Sequence, residues 1–462
     1  MQRFLKELDF MEGLRSHILE LSKTVRIFIK DKTNERLILP DLETFYQTSW
    51  EKFTYSEKGI DVGRGESKYM SIPSWSRATA RIYLRIKDTS AYNELLKKLK
   101  EVQFGTFNAE MTVQKLAMKF AEVYLSDIDQ NTEANIEALC QKVIQQIATQ
   151  ELNAVATIYL IGITLQSEEI ELMPGIRLRR SNQADISQSI PMHQNIEIAD
   201  SPFATAVLEI KRMLTIKQWS GLTNEIEKTI HILRLLGVGA IYYKYYTVQT
   251  DWLLNGINDS EVIPSNFPHP PVIFFLEKRN ESLVKAMFAY MQTHLPHLSG
   301  INRKINSLTV SYDRYEDACN EGKIFERKVM NAIMGLEALY LDDNMELSYK
   351  LSIRCAKVMS FCNLDPLEIK RVIKVGYKIR SVFAHGDHLK KKDINKYNDQ
   401  FGDYQNIGNQ LCNYLRVSIC VNIILKLKKS PFLEELDNSL LSLSISEKLK
   451  KDFLILDQYL LH

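Results

Sequence analysis

No stretch of this chain approaches the roughly 18 consecutive apolar residues that a membrane-spanning helix needs, so no membrane association is expected. Its six cysteines (Cys140, Cys319, Cys355, Cys362, Cys412 and Cys420) include no C-x-x-C pair. Several fall on apolar helical faces, which suits reduced, buried thiols in a cytoplasm. Surplus charge is also missing: the formal net charge is +2 over 462 residues, too little for a protein that coats duplex DNA. The N-terminal M-Q-R-F-L-K-E-L-D-F carries Glu and Asp among its apolar residues, unlike a secretory leader, so export is not expected. Gly63-x-Gly65 is followed by no G-K-[ST] and is no phosphate loop. His269, His294 and His297 lie near one another in sequence, and His294 and His297 are spaced as a metal pair would be, but Pro296 between them breaks the helix such a pair wants. No metal site or other cofactor is expected. No paired-carboxylate signature of a metal-dependent nuclease and no internal repeat is visible.

What is present is an ordinary globular composition, with 45% hydrophobic and 25% charged residues, long enough for two or three domains. The pattern predicts an α+β protein: a mixed α/β region over 1–300, with a division near 150, followed by an all-helical bundle over 301–462. In the first region Ile27–Ile29 and Ala80–Ile86 alternate in the strand manner. Phe45, Trp50, Phe53, Tyr69 and Trp75 are candidate core, and the polar segment from Gly59 reads as an exposed loop. Amphipathic helices are predicted near 110–126 and 133–150. Strands return between 152 and 250, with a hairpin turn at Pro174-Gly175, an ambiguous Thr205–Leu214, a helix over Asn224–Leu236 and an aromatic strand over Gly239–Val248. The tyrosines of that strand suit sheet packing better than base stacking. A Pro- and Asn-rich loop covers 258–272. Beyond about 300, helices are predicted at 305–320, 323–342, 346–362, 366–385, 400–429 and 445–460.

One stretch of the helical half stands out: Asp365 to Lys392, D-P-L-E-I-K-R-V-I-K-V-G-Y-K-I-R-S-V-F-A-H-G-D-H-L-K-K-K. Asp365 is an N-cap, Pro366 occupies the first helical position and Glu368 follows three residues after the cap. Gly386 suits the left-handed turn that ends helices. Ile369, Val372, Ile373, Gly376, Ile379 and Phe383 form one apolar stripe. Arg380 lies within about 20° of Ile369 and Ile373 on the wheel, so its guanidinium projects from the face that should be buried. There it needs a carboxylate or a phosphate. His385 sits at the helix end, where the dipole attracts positive charge. Nine Lys or Arg fall between Lys370 and Lys396, against Asp387 and Asp393, a local cationic surface. An Arg and a His at this spacing arise by chance about once in a chain of this length, so the pair draws its weight from the capped basic helix around it.

The helix at 323–342 carries Phe325, Val329, Ile333, Leu336, Leu339 and Tyr340 on its apolar face, with Arg327, Lys328, Asn331 and Gly335 opposite. Glu326 and Glu337 fall inside the apolar arc, and a carboxylate there wants a cation. For Glu337 the partner is either Arg380, whose guanidinium it would orient, or Arg354, a purely structural pair; the structural pair is the preferred expectation.

The order G-L-E-A-L-Y (Gly335 to Tyr340), L-S-I-R-C-A (Leu351 to Ala356) and Y-K-I-R-S-V-F-A-H-G (Tyr377 to Gly386) resembles the HEPN superfamily, and within it the ApeA-like HEPN domains of bacterial anti-phage proteins. The resemblance covers about 305–429. It implies a helical bundle that dimerises so that two R-x4-6-H motifs face one another and form a metal-independent RNase site. Arg380 and His385 match the motif at its shortest spacing and would be catalytic, with Glu337, Ser381 and Tyr377 in support; active members often carry Asn, Asp or His where this chain has Ser381.

Elementary chemistry agrees. RNA is cut without metal when a base takes the 2′-hydroxyl proton, a cation stabilises the phosphorane and an acid protonates the leaving oxygen. Imidazole serves as base or acid near neutrality, and Arg380 would hold the phosphate through a bidentate contact. One chain offers a single well-placed His, since His388 follows the helix stop, so acid and base together need a two-fold homodimer. Lys374, Lys378, Lys390, Lys391 and Lys392 would guide the RNA backbone, unless they form a solvated face. The expected function is a cytoplasmic anti-phage effector or toxin that cleaves RNA in answer to a phage-derived trigger. The alternative is a non-catalytic HEPN module for dimerisation or RNA binding.

Overall fold

A helix buried along most of its length, Gln405–Ile424, runs through the second half of the chain, with Leu411, Leu415, Ile419 and Cys420 each essentially inaccessible. A helix buried on so many sides is stable only when other elements wrap it, and the remaining elements supply the wrapping. The computed structural model describes residues 2–37, 39–50, 53–62, 65–102, 107–126, 132–188, 203–237, 239, 241–254, 260–262, 273–298, 303–320 and 324–460. His269, most of the 258–272 loop and the 127–131 linker lie outside them, as do the side chains of Phe45, Trp50 and Tyr69.

The first segment comprises α1 (Gln2–Lys30), β1 (Asp41–Trp50), β2 (Phe53–Ser56), β3 (Gly59–Val62), β4 (Gly65–Ser74), α2 (Ser76–Ile86), α3 (Ser90–Leu99), α4 (Ala109–Ser126) and α5 (Thr132–Thr149). The expected helices at 110–126 and 133–150 are α4 and α5. Two strand expectations are corrected: Ile27–Ile29 lies in α1 and Ala80–Ile86 in α2. In α2 the buried side chains are Ala78, Thr79, Ile82 and Ile86, a stripe of helical period that the shorter alternation of A-R-I-Y-L-R-I concealed. The segment from Gly59 is not a loop either. β3 pairs with β2, and β4 pairs with β1 along ten positions from Asp41–Ser74 to Trp50–Gly65.

The central segment comprises β5 (Glu151–Ile161), β6 (Ile163–Leu165), β7 (Glu169–Met173), β8 (Ile176–Arg180), α6 (Gln183–Gln188), β9 (Ala206–Thr215), α7 (Gly221–Leu236), β10 (Tyr242–Thr250), β11 (Ser260–Val262), β12 (Phe274–Leu276) and α8 (Glu281–His294). A six-stranded antiparallel sheet runs in the order β11-β10-β5-β9-β8-β7. Thr205–Leu214 thus resolves as a central strand, and Pro174-Gly175 makes the β7–β8 turn, with Gly175 at φ +75° where a side chain would strike the Lys211 carbonyl. The tyrosines of β10 are sheet packing: Tyr242, Tyr245 and Tyr246 are buried, and Tyr245 stacks on Tyr159 of the neighbouring strand with centroids 5.5 Å apart.

After Leu276 every described element is helical: α9 (Ser307–Asn320), α10 (Phe325–Tyr340), α11 (Leu347–Phe361), α12 (Pro366–Ala384), α13 (Lys391–Phe401), α14 (Gln405–Ile424), α15 (Lys429–Leu441) and α16 (Leu443–Phe453). The protein is therefore α+β, with its sheets in the N-terminal part and a helical C-terminal region. The expected single helix over 400–429 is shorter, α14 at Gln405–Ile424; α13, set apart from it at Gly402 with φ +75°, lies almost wholly ahead of the expected start and is an additional helix. The expected 445–460 helix is α16 followed by a 3-10 helix over Leu454–Gln458, while α15, which meets α16 at Ser442, lies ahead of it where the sequence pattern predicts no separate helix. No described helix is long and apolar enough to cross a membrane.

One apolar core runs through both halves, and a polar layer joins them. Arg416, 2% exposed, donates from α14 to the carbonyls of Leu235 and Leu236 at the end of α7, where the helix terminus leaves acceptors open. Tyr315 of α9 donates to the Arg234 carbonyl at 2.8 Å, and Tyr312 meets His231 Nδ1 at 2.7 Å. Arg234 pairs with Glu316.

Candidate functional site

Helix α12 is built as its sequence dictates. Asp365 accepts from the Leu367 N–H at 2.9 Å with Pro366 behind it. At the other end the Asp387 N–H bonds to the Val382 carbonyl and the Gly386 N–H to that of Phe383. With Gly386 at φ +79°, this is a Schellman stop. Ile369, Val372, Ile373, Gly376 and Ile379 are buried, while Phe383, the last of the expected stripe, is only half-buried. At Gly376 the α12 backbone lies so close to α10 and α14 that a Cβ would sit 2.6 Å from Leu411 and 3.1 Å from Ile333.

That approach brings Arg380 to Glu337. Their closest atoms, Arg380 Nη2 and Glu337 Oε2, are 3.5 Å apart, with side chains 31% and 17% exposed. The preferred expectation, Glu337 with Arg354, is thereby corrected. Arg354 forms two bonds to Asp437, at 2.9 and 2.6 Å, and further bonds to the Tyr340 carbonyl and Asp342. Two aspartates beyond the range of simple helical-wheel reasoning won that arginine: Asp342 just past the end of α10, and Asp437 far along the chain.

The Arg380–Glu337 contact leaves capacity unused. Arg380 Nε and Glu337 Oε1 are both buried without a hydrogen-bonding partner from the protein, and such atoms are costly unless something else meets them. Burial pushes the Glu337 carboxyl above its usual range, and the Arg380 charge only partly opposes this. The Arg380 guanidinium carbon lies 5.7 Å from the centre of the Tyr377 ring one turn earlier. Burial likewise raises the Tyr377 hydroxyl, as does the Glu337 charge, while Arg380 opposes. The three side chains form one electrostatic group, a guanidinium backed by a ring and a weakly held carboxylate.

His385 is the C-cap of α12, just past Ala384, and is exposed. Five residues at about 100° each place it about 140° around the axis from Arg380. One chain thus turns the guanidinium inward and the imidazole outward. Ser381 is half-buried between them in sequence. Lys374, Lys390, Lys391 and Lys392 are exposed; Lys390 caps α13 and the other two of that run begin it. Lys378 is already engaged, bonded at 3.0 Å to Asp393. The expected face opposite the apolar arc of α10 is also corrected. Asn331 and Gly335 are buried because α9 packs there, with Ser311 donating to the Gly335 carbonyl at 2.8 Å.

Sequence reasoning missed one neighbour of this group. Tyr377 lines a shallow cavity of about 560 Å³ together with Asn344, Glu346, Leu347, Ser348 and Tyr349. The D-D-N-M-E run ahead of α11 was the available signal, since a polar loop meets the start of a helix there.

Compared with protein-family models, curated proteins and solved structures, the chain gives no match. The fold defines the class, an α+β protein with a helical C-terminal region, and the HEPN resemblance rests on the motif residues themselves.

Proposed function

We propose that this protein is a metal-independent endoribonuclease of the HEPN type, acting in the cytoplasm as an anti-phage effector. The observation that carries the reading is the last turn of α12. There Arg380 is held at 3.5 Å by a carboxylate that does not satisfy it, with Nε unpartnered, and His385 stands exposed at a Schellman stop flanked by exposed lysines. A guanidinium with spare donors suits a phosphate that gains charge in the transition state. An exposed imidazole suits proton transfer to or from the ribose and leaving oxygens. Because the two side chains diverge on one helix, the reading requires two chains related by a two-fold axis, each giving one imidazole to a shared cleft.

The test is cleavage of single-stranded RNA in the presence of a chelator by wild type, Arg380→Ala and His385→Ala. The reading expects cleavage by the wild type alone; equal cleavage by all three excludes the site. A second reading, a HEPN module that binds RNA or dimerises without chemistry, is favoured by the fact that Arg380 already has Glu337 as its neighbour. It expects RNA bound intact and a His385→Ala protein that still protects cells from phage.

A further inference from the structure

Two of the six cysteines meet where three helices converge. Cys319 lies in the last turn of α9 and Cys412 in the first half of α14, and α9 packs on α14. Helix α10 closes the third side. Lys328 of α10 donates to Asn409 at 2.7 Å, one turn ahead of Cys412, and Arg314 of α9 donates to Asn331 of α10. In that corner the two thiols are hydrogen-bonded to each other. Cys412 is 1% exposed, whereas Cys319 is only partly buried, so solvent reaches one sulfur of the pair and not the other.

The pair also differs from the other four cysteines in its electrostatic surroundings. Burial pushes the thiols of Cys140, Cys355, Cys362 and Cys420 up, which leaves them unreactive. For Cys319 the bond with Cys412 is the largest influence and lowers the thiol below its usual range; burial opposes, and the Lys328 and Arg234 charges assist. Cys412, which keeps its proton for that bond, is raised by the bond first and then by burial. An accessible thiol of lowered pKa beside a protonated one is the arrangement of an attacking and a resolving cysteine.

We propose that Cys319 and Cys412 are a modification site, a dithiol that hydrogen peroxide closes to a disulfide between α9 and α14. The Cys319 thiolate attacks one peroxide oxygen and the O–O bond breaks. Cys319 becomes a sulfenic acid, and the departing hydroxide takes up the proton that Cys319 released, giving water. The Cys412 sulfur then attacks the Cys319 sulfur and the S–O bond breaks. The second hydroxide takes the Cys412 proton and leaves as water. The two thiols lose two electrons in all, and the peroxide gains them. The bridge encloses α10 to α13, and with them Arg380. It also pins α9, the helix through which Tyr312, Tyr315 and Glu316 meet the sheet-bearing region. Where thiols are otherwise kept reduced, a disulfide of this kind is transient and reports on oxidant. The inference does not depend on the ribonuclease reading.

In the experiment, folded full-length protein is treated with hydrogen peroxide and its remaining thiols are blocked with N-ethylmaleimide in denaturant. Mass spectrometry of the digest then maps every cysteine. The expected result is the loss of two of the six thiols, a peptide pair linked through Cys319 and Cys412, and recovery of both thiols with dithiothreitol. With dimedone present, Cys412→Ser should be labelled at Cys319, and Cys319→Ser should carry no label at Cys412. The oxidised wild type should also unfold at a higher urea concentration than the reduced protein. Six unreacted thiols, or a link between any other pair, overturns the proposal, and dimedone on Cys412 in place of Cys319 overturns the assigned order of attack. Because the link is mapped in the wild type, that map decides even if a variant fails to fold.

Discussion

Acidification should loosen the joint between the sheet-bearing region and the helical region, and His231 sets how much. Its ring is largely buried on α7, with Nδ1 2.7 Å from the Tyr312 hydroxyl and Nε2 buried without a partner. Burial first, and then the Arg234 charge, push its pKa from 6.5 down to about 4. The sign follows. The folded state disfavours the imidazolium, so the stability from keeping this ring neutral is complete above pH 6.5 and is lost as pH falls toward about 4. At about 1.4 kcal/mol per unit, the whole effect is about 3 kcal/mol, of which about 2 kcal/mol is lost between about pH 7 and about pH 5. Urea unfolding of wild type and His231→Gln at those two pH values isolates it, because all other titrating groups are common to both. The wild type should lose about 2 kcal/mol more than the variant. Parallel losses in the two proteins would refute the reasoning.

Four further outcomes are expected. Gly335→Ala places a Cβ 2.5 Å from Leu415 and 3.2 Å from the Arg314 Cβ; overpacking of about 1–3 kcal/mol outweighs a helix-propensity gain of about 1 kcal/mol, so chemical denaturation should show a net loss. Arg354→Ala strands Asp437 and Asp342 and leaves the Tyr340 carbonyl unpaired, and its unfolding midpoint should fall further than that of Arg380→Ala. The latter leaves Glu337 free to take up a proton and should cost activity rather than stability. In the fold Glu337 holds its proton more tightly than in the unfolded chain, so its contribution is present in acid and is lost as pH rises through the folded pKa. Glu337→Gln should therefore match or exceed wild-type stability at neutral pH, with a flatter profile above about pH 4.

Local signals were legible where one residue type does one job. Asp365, Pro366 and Gly386 bounded α12 correctly because capping is a short-range matter of backbone donors and acceptors. The Pro174-Gly175 turn was readable for the same reason. Failures came where tertiary contacts decide. Ala80–Ile86 alternates over too few residues to separate a period of 2 from one of 3.6, and packing on its neighbours selects the helix. Gly335 and Asn331 looked solvent-facing because nothing within α10 announces that α9 covers its second side. At the site, the inward Arg380 and the buried Glu337 could each be placed from helical angles. Which cation met which carboxylate could not, because Asp437 lies 83 residues from Arg354. The Tyr349–Tyr377 cavity spans two helices and a loop and has no signature in any one of them.

The claim on which the account depends is that two chains complete one RNA-cleaving site from Arg380 and His385. Wild-type protein co-expressed with increasing proportions of tagged His385→Ala chain, and assayed on single-stranded RNA with chelator present, tests it in one measurement. The account predicts cleavage by the wild type and a loss of activity steeper than simple dilution, as mixed dimers lacking one imidazole replace intact ones. Wild-type protein that leaves the RNA whole, or activity that falls only in proportion to the wild-type chain remaining, would contradict it.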